Sequence, residues 1–184
     1  LAIKSNGADA DYAHYQKAIS YGFVNKPAKK ISDLEMFLKT YQRSTYRDDA
    51  MFALGDVYIS ENKIQRGIEA YDRLIKEIPR SSYVPKAILK QGLVYYNGNK
   101  GDSALTKFKR VVAEYPGSEE AIQAVNTARL IYVDLGRTDE YATWVKGLDF
   151  VDVSDADLDN TSYEAAEKQF IENNDNAAIS GFKK

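Results

Sequence analysis

The feature that most constrains the fold of this chain is an internal repeat with a step of 37 residues. Three eight-residue segments align at this step without gaps, and they begin at Arg43, Arg80 and Gly117. Further matching residues fall in the same register, among them Gly55 and Gly92, Tyr58 and Tyr95, and Pro79 and Pro116. So many matches in one register indicate a repeat architecture, in which each unit buries its apolar surface against its neighbours.

Each period contains two apolar patterns of helical spacing. The first consists of Met51, Leu54 and Tyr58, and the second of Ile68, Tyr71 and Ile75. Residues at i, i+3 and i+7 lie on one face of a helix. A polar turn at 61–63 separates the two patterns, and Pro79 ends the second because proline cannot continue a helix. Each period therefore predicts a hairpin of two amphipathic helices.

Small residues recur where the two helices of each predicted hairpin would cross. They are Gly55 and Gly92 in the first helices, and Gly67 and Ala104 in the second helices. A larger side chain at these points would hold the paired helices apart. Together with the bulky residues around them, the pattern resembles the tetratricopeptide repeat. The resemblance implies an all-α fold, a right-handed α-solenoid of antiparallel helix hairpins.

The repeat register divides the chain into segments. We expect four hairpins within residues 1–148, at about 11–47, 48–84, 85–121 and 122–148. The fourth is degenerate because Arg129 and Tyr141 stand where small residues are expected, which leaves its packing angle open. An acidic connector is predicted at 149–161, and a further repeat begins within 162–184. That last repeat is incomplete, so we expect the native array to continue.

The step length and the Pro-x-Ser junctions are similar to those of tetratricopeptide proteins of the bacterial cell envelope. This resemblance implies an interaction scaffold that binds a partner peptide or protein on its concave face within a larger envelope assembly. It also implies a periplasmic or outer-membrane-associated location, although a cytoplasmic one stays open. Two other functions stay open as well: a structural spacer within a longer solenoid, and a glycan or cell-wall binding module.

The family resemblance also implies which residues line the concave face, because the first helix of each hairpin supplies them. These residues are Tyr12, Tyr15, Ile19, Phe52, Asp56, Ile59, Leu89, Leu93, Tyr96 and Asn126. The set is mostly aromatic and aliphatic, which suits a peptide whose apolar side chains fill pockets. The alternative is that some of these residues only pack between adjacent repeats.

The residue inventory argues against catalysis and against metal or cofactor binding. The chain has no cysteine and one histidine, His14, so it can form no thiolate site, histidine cage or histidine-ordered triad. His14 falls at a core-facing helical position. We therefore expect no enzyme activity, catalytic residue, cofactor or metal. The acidic run at 155–159 is similar to the start of a calcium loop, but Asn160 and Ala166 replace its glycine and glutamate, so a solvated linker is predicted.

The charge balance and hydropathy indicate which partners to expect. Lysine and arginine number 25 against 27 aspartates and glutamates, a formal net charge of -2. Such a balance argues against nucleic acid as a partner, since nucleic-acid binding requires basic surfaces. No apolar run approaches the roughly 18 residues that would cross a bilayer, so no direct membrane insertion is expected in this segment. The expected partner is a protein or peptide.

Overall fold

The structure is a computed structural model that describes residues 9–183 of the chain. These residues form α1 (Ala10–Phe23), α2 (Pro27–Thr40), α3 (Arg47–Ser60), α4 (Ile64–Glu77), α5 (Tyr83–Asn97), α6 (Gly101–Glu114), α7 (Glu119–Asp134), α8 (Thr138–Val145), α9 (Asp155–Ile171) and α10 (Asp175–Phe182). No strand occurs among the described residues. Residues 1–8 of the predicted 1–148 segment, and Lys184 of the predicted last repeat, lie outside them.

The chain divides into two compact units, and the boundary falls within α5, between Ala87 and Ile88. Unit 1 contains α1 to α4 and the first residues of α5, and unit 2 contains the rest of α5 and α6 to α10. In each unit, consecutive helices are joined by short turns, as expected of helix hairpins, except that the longer segment 146–154 joins α8 to α9. The all-α prediction is confirmed.

The turn inside each hairpin holds one residue in the left-handed backbone conformation. These residues are Asn25, Asn62, Asn99, Gly136 and Asn173, with φ between 51° and 65°. Asparagine and glycine adopt this conformation at least cost, which is why the sequence uses only these two residues there. Successive members of the set are 37 residues apart along the whole described chain. The period therefore continues through the degenerate repeat without insertion or deletion.

Three of the predicted crossing positions have no room for a side chain. A Cβ atom on Gly55 would lie 2.3 Å from Cε1 of Tyr71, and one on Gly92 would lie 2.4 Å from the same atom of Phe108. A Cβ atom on Gly67 would lie 2.4 Å from Cδ1 of Ile59. These distances are far inside van der Waals contact, so the glycines allow the paired helices to approach.

The core of unit 1 lies between the helices of its two hairpins. Leu34, Phe37, Tyr71 and Leu74 are fully buried, and all four lie on the second helices α2 and α4. The first helices α1 and α3 contribute Ala18, Met51 and Leu54. Burial of this apolar surface is the main source of stability for helices of this length.

The degenerate repeat in unit 2 replaces small residues in two different ways. Tyr141 is buried on the short helix α8, where its ring lies 5.9 Å from that of Tyr132 and 6.5 Å from that of Trp144. The side chain of Arg129 extends to α9, where its guanidinium forms an ion pair with Glu164 at 2.8 Å. The two replacements are therefore accommodated by an aromatic cluster and by an ion pair with α9.

The predicted acidic connector is wrong in its second half. Helix α9 begins at Asp155, so residues 155–161 are helical and the non-helical connector ends at Ser154. The physical reason is a capping box: the Ser154 hydroxyl accepts the amide of Asp157, and the Asp157 carboxylate accepts the amide of Ser154. Aspartates in the first turn also complement the helix dipole. The acidic run is thus a helix start, neither a linker nor a calcium loop.

Candidate functional site

The predicted binding residues lie on the first helices of the hairpins, in both units. In unit 1, Tyr12, Tyr15 and Ile19 lie on α1, and Phe52, Asp56 and Ile59 lie on α3. Tyr12 is 45% exposed, and the other five are half-buried. Tyr15, Ile19, Phe52 and Ile59 pack on the core of the unit with part of their surface. These side chains therefore both support the fold and present surface to solvent.

In unit 2 the predicted residues differ more from one another. Leu89 is buried at 6% exposure, Leu93 and Tyr96 are half-buried, and Asn126 on α7 is exposed. Leu89 is therefore a core side chain and offers little surface to a partner. Leu93, Tyr96 and Asn126 retain surface that a partner could contact.

Two stacked ring pairs in unit 1 occupy equivalent positions in successive repeats. The ring of Tyr15 lies 5.7 Å from that of Tyr46 with an interplanar angle of 9°. The ring of Phe52 lies 4.8 Å from that of Tyr83 with an angle of 29°. Both members of the second pair are 37 residues beyond their counterparts in the first. The ring centroid of Tyr12 also lies 5.2 Å from that of Tyr46. We call these five residues the aromatic ladder: Tyr12, Tyr15, Tyr46, Phe52 and Tyr83.

Tyr46 and Tyr83 were not among the residues predicted for the binding face. Each lies at the start of the following first helix, as the N-cap of α3 or the first residue of α5, and packs back on the preceding first helix. The signal was present, because tyrosine is the fourth residue of both aligned segments that begin at Arg43 and Arg80. The family positions used for the prediction cover helix interiors and therefore omit these two residues.

Hydrogen bonds hold the segment before each of these tyrosines in place. The Ser44 hydroxyl donates to Asp11 at 2.6 Å, and the Ser81 hydroxyl donates to Asp48 at 2.7 Å. The serines also accept the amides of Tyr46 and Tyr83, respectively. The same bonds therefore recur one repeat apart, and they position each tyrosine for its stack.

Carboxylates of α3 lie beside the ladder. The Tyr83 hydroxyl donates to Asp49 at 2.7 Å, and the Tyr71 hydroxyl donates to Asp56 at 2.6 Å. Burial, and next the negative charges of Asp49 and Asp48, raise the pKa of Tyr15 to about 12. The hydrogen bond to Asp49, and next burial, raise the pKa of Tyr83 to about 12. Asp49 thus acts on rings of both stacked pairs.

The second-helix tyrosine of this hairpin has a structural role. Tyr71 is fully buried, and burial together with its hydrogen bond to Asp56 raises its pKa above the ordinary value. Its ring is the one that closes against Gly55. Of the predicted residues, Asp56 and Ile59 therefore also serve hairpin packing, because Asp56 binds Tyr71 and Ile59 fills the space over Gly67.

His14 lies in the core of unit 1, as expected from its helical position. It is 6% exposed, and its ring meets those of Phe37 and Tyr41 edge-on at 6.0 and 5.7 Å. Burial lowers the pKa of His14, against an opposing effect of Asp33, so the imidazole is neutral at physiological pH. It is a packed core side chain.

Metal-binding groups and membrane-spanning helices are both absent from residues 9–183. No cluster of three or more histidine, cysteine, aspartate or glutamate side chains in this range could hold a metal ion. None of the helices in the described part of the chain has the length and apolar character that a bilayer span requires. The ladder presents aromatic rings and half-buried apolar surface, with carboxylates beside it.

The helix order, the glycine crossings and the regular turns define the class of fold, an all-α solenoid of helix hairpins. The tetratricopeptide repeat family model matches residues 49–81 and 86–118. The two matched stretches correspond to the central repeats, where the glycines and prolines follow the pattern most closely. A search of curated proteins found no match to this chain.

Solved structures of tetratricopeptide proteins share this fold. A tetratricopeptide repeat protein from Parabacteroides merdae aligns with a TM-score of 0.67 at 11% identity, over 94% of this chain and 64% of that chain. MamA of AMB-1 aligns with a TM-score of 0.56 at 20% identity, over 94% and 88%. YrrB, described as a TPR protein with an unusual peptide-binding site, aligns with a TM-score of 0.57 at 13% identity, over 92% and 81%. At these identities the likeness concerns the fold alone.

Proposed function

We propose that this chain is a non-enzymatic interaction module that binds a segment of a partner protein on the first-helix face of its hairpins. The observation that carries the proposal is the aromatic ladder of unit 1, which combines rigid rings on helices with exposed surface. Aromatic side chains contribute much contact area for little loss of conformational freedom, so they dominate many protein interfaces. Tetratricopeptide repeats generally mediate such interactions, and the similar protein YrrB has a peptide-binding site by its description.

The compartment and the assembly belong to the same proposal. The chain acts within a larger bacterial envelope assembly, in the periplasm or at the outer membrane. The support is the likeness of the repeat step and of the Pro-x-Ser junctions to envelope tetratricopeptide proteins. Fractionation of the source cells, with an antibody against this chain, tests the proposal, and recovery with cytoplasmic markers would contradict it.

Binding at the ladder is tested by comparing the chain with a Tyr15→Ala/Phe52→Ala variant. Both are used to capture partners from an extract of the source cells, and each partner found is then purified and titrated against both proteins. We expect a direct complex that the variant weakens at least tenfold, while circular dichroism shows that the variant keeps its helices. Equal binding by both proteins would place the interface elsewhere.

Two further substitutions test the predicted binding residues of unit 2. Tyr96→Ala tests the predicted half-buried position in unit 2 without touching the ladder, and Asn126→Ala tests an exposed one. If the chain is a structural spacer with no partner on this face, none of these variants should change any interaction. A glycan-binding module predicts binding of soluble cell-wall fragments in the absence of protein, with loss on Tyr12→Ala.

A further inference from the structure

The aromatic ladder of unit 1 offers ring faces of a kind that attract positive charge. A lysine or arginine placed over a tyrosine or phenylalanine ring is held by the negative face of the π-system. One internal example is already present, since the ammonium of Lys86 lies 5.8 Å from the ring centroid of Tyr83. One ring of the ladder therefore already has a lysine ammonium over its face in the folded protein.

On helices α1 and α3 of unit 1, the basic and the acidic side chains point in different directions. Helix α1 contains one basic residue, Lys17, which pairs with Asp33 of α2 at 2.6 Å. Helix α3 also contains one, Arg47, which binds Glu77 at 2.9 Å and the carbonyl of Leu38 at 2.9 Å. Both cations therefore point toward second helices, whereas Lys86 of α5 lies over a ladder ring.

The carboxylates of α3 have the opposite orientation. Asp49 accepts the hydroxyl of Tyr83, and Asp48 accepts the hydroxyl of Ser81 just before it. The hydrogen-bond partners of both carboxylates thus belong to the segment that carries a ladder ring. Asp49 and Asp48 also act electrostatically on Tyr15 of the other pair. Ring faces and negative charge together complement a cation and disfavour an anion.

We propose that the aromatic ladder binds its partner through a lysine or arginine side chain of the partner segment, which lies on the ladder rings beside the carboxylate of Asp49. This inference rests on the proposed function and specifies the chemistry of the partner. Apolar residues on either side of the cation contact the half-buried surface of Phe52 and Ile19. A segment that presents a free carboxylate or an acidic run would meet Asp48 and Asp49 with like charge.

The inference is tested with a random dodecapeptide display library selected on the full chain. A Phe52→Ala variant that retains its helicity serves as the counter-selection. Selected peptides are synthesised in three versions, with each lysine or arginine kept, replaced by norleucine or citrulline, or replaced by glutamate. Their dissociation constants are measured by fluorescence anisotropy against the chain, against Asp49→Asn, and against Glu69→Gln.

The two charge variants form a matched pair. Asp49→Asn removes one negative charge while its amide oxygen can still accept the Tyr83 hydroxyl. Glu69→Gln removes one negative charge from α4, where Glu69 is exposed and accepts a hydrogen bond from Gln65. We expect the neutral peptide to bind about tenfold more weakly than the cationic one, and Asp49→Asn to remove most of that difference. Glu69→Gln should change binding by less than about twofold, as expected of a distant exposed charge.

The outcomes separate the inference from the proposed function. Enrichment of lysine and arginine, with loss of that preference in Asp49→Asn, supports both. Selected peptides that need Phe52 but show no preference for a cation, or prefer an acidic residue, overturn the inference and leave the proposed function standing. Failure to select any peptide that distinguishes the chain from the Phe52→Ala variant overturns both.

Discussion

Gly55 lies directly beneath the ring of Tyr71, and the space for a Cβ atom at Gly55 is already filled by that ring. Gly92 and Phe108 repeat the relationship one period later. The closeness of α3 to α4 thus depends on a missing side chain on one helix and a large ring on the other.

Gly55→Ala should therefore destabilise the chain, by about 1–3 kcal/mol, because Tyr71 must move within a packed core. Gly22→Ala is the matched control. A Cβ there would meet only the side chain of Lys30, at an ordinary 3.5 Å, so helix propensity should leave stability unchanged or raise it by up to about 1 kcal/mol. Urea denaturation followed by circular dichroism measures both. Equal stability of Gly55→Ala and the parent would show that the crossing is looser than described.

The hairpin turn at Asn62 gives a second prediction. Its φ of 57° lies in the left-handed region, where asparagine is tolerated and alanine is disfavoured. Asn62→Ala should cost about 1 kcal/mol, whereas Asn62→Gly should be neutral or slightly stabilising. Thermal unfolding of the two variants is the measurement. A loss of stability in Asn62→Gly equal to that in Asn62→Ala would instead assign the effect to the asparagine side chain.

The junction between α4 and α5 gives a third. Ser81 donates to Asp48 and accepts the amide of Tyr83, so Ser81→Ala removes two hydrogen bonds from a partly buried site. We expect a loss of about 1–2 kcal/mol. Asp48→Asn keeps an oxygen acceptor for the serine and should be milder. Chemical denaturation of both variants tests this, and the reverse order would mean that the charge of Asp48 matters more than the hydrogen bond.

His14 gives a prediction for pH. Its pKa is lowered in the folded chain, chiefly by burial, so the unfolded chain binds a proton more readily. Stability is therefore fully present above the ordinary histidine value of about 6.5 and is lost as pH falls below it. The free energy of unfolding should decrease between about pH 7.5 and 5.5 in the parent, and less steeply in His14→Phe, which keeps the ring contacts. Identical slopes in the two proteins would assign the pH dependence to other groups.

The sequence predicted the hairpins well because their signals are local. Pro79 and Asn62 act through their own backbone conformations, and Gly55 through the absence of a side chain, so each can be recognised from a single repeat. The start of α9 was missed because aspartates suggested a solvated loop. Serine and aspartate are also the residues of a capping box, and here Ser154 and Asp157 start a helix.

The candidate site was harder to predict because part of it comes from the junctions. Tyr15 and Phe52 lie within helices, at positions that the family resemblance implies. Tyr46 and Tyr83 depend on how the chain enters the next helix, and the serine hydrogen bonds that direct them join residues more than thirty positions apart. Periodicity shows which residues share a helix face. It does not show which side chains between the hairpins pack against that face.

The even spacing of the left-handed turns has a consequence for how such a protein can be edited. Because Asn62, Asn99 and Gly136 occupy the same place in successive periods, removing residues 63–99 would connect Asn62 to Lys100 and restore an intact hairpin turn. Duplicating residues 63–99 would connect Asn99 to Lys63 and would likewise give an intact hairpin turn. Recombination at the turn position therefore removes or adds one whole repeat. The length of the protein can change in steps of one repeat, and each hairpin turn keeps its native residues.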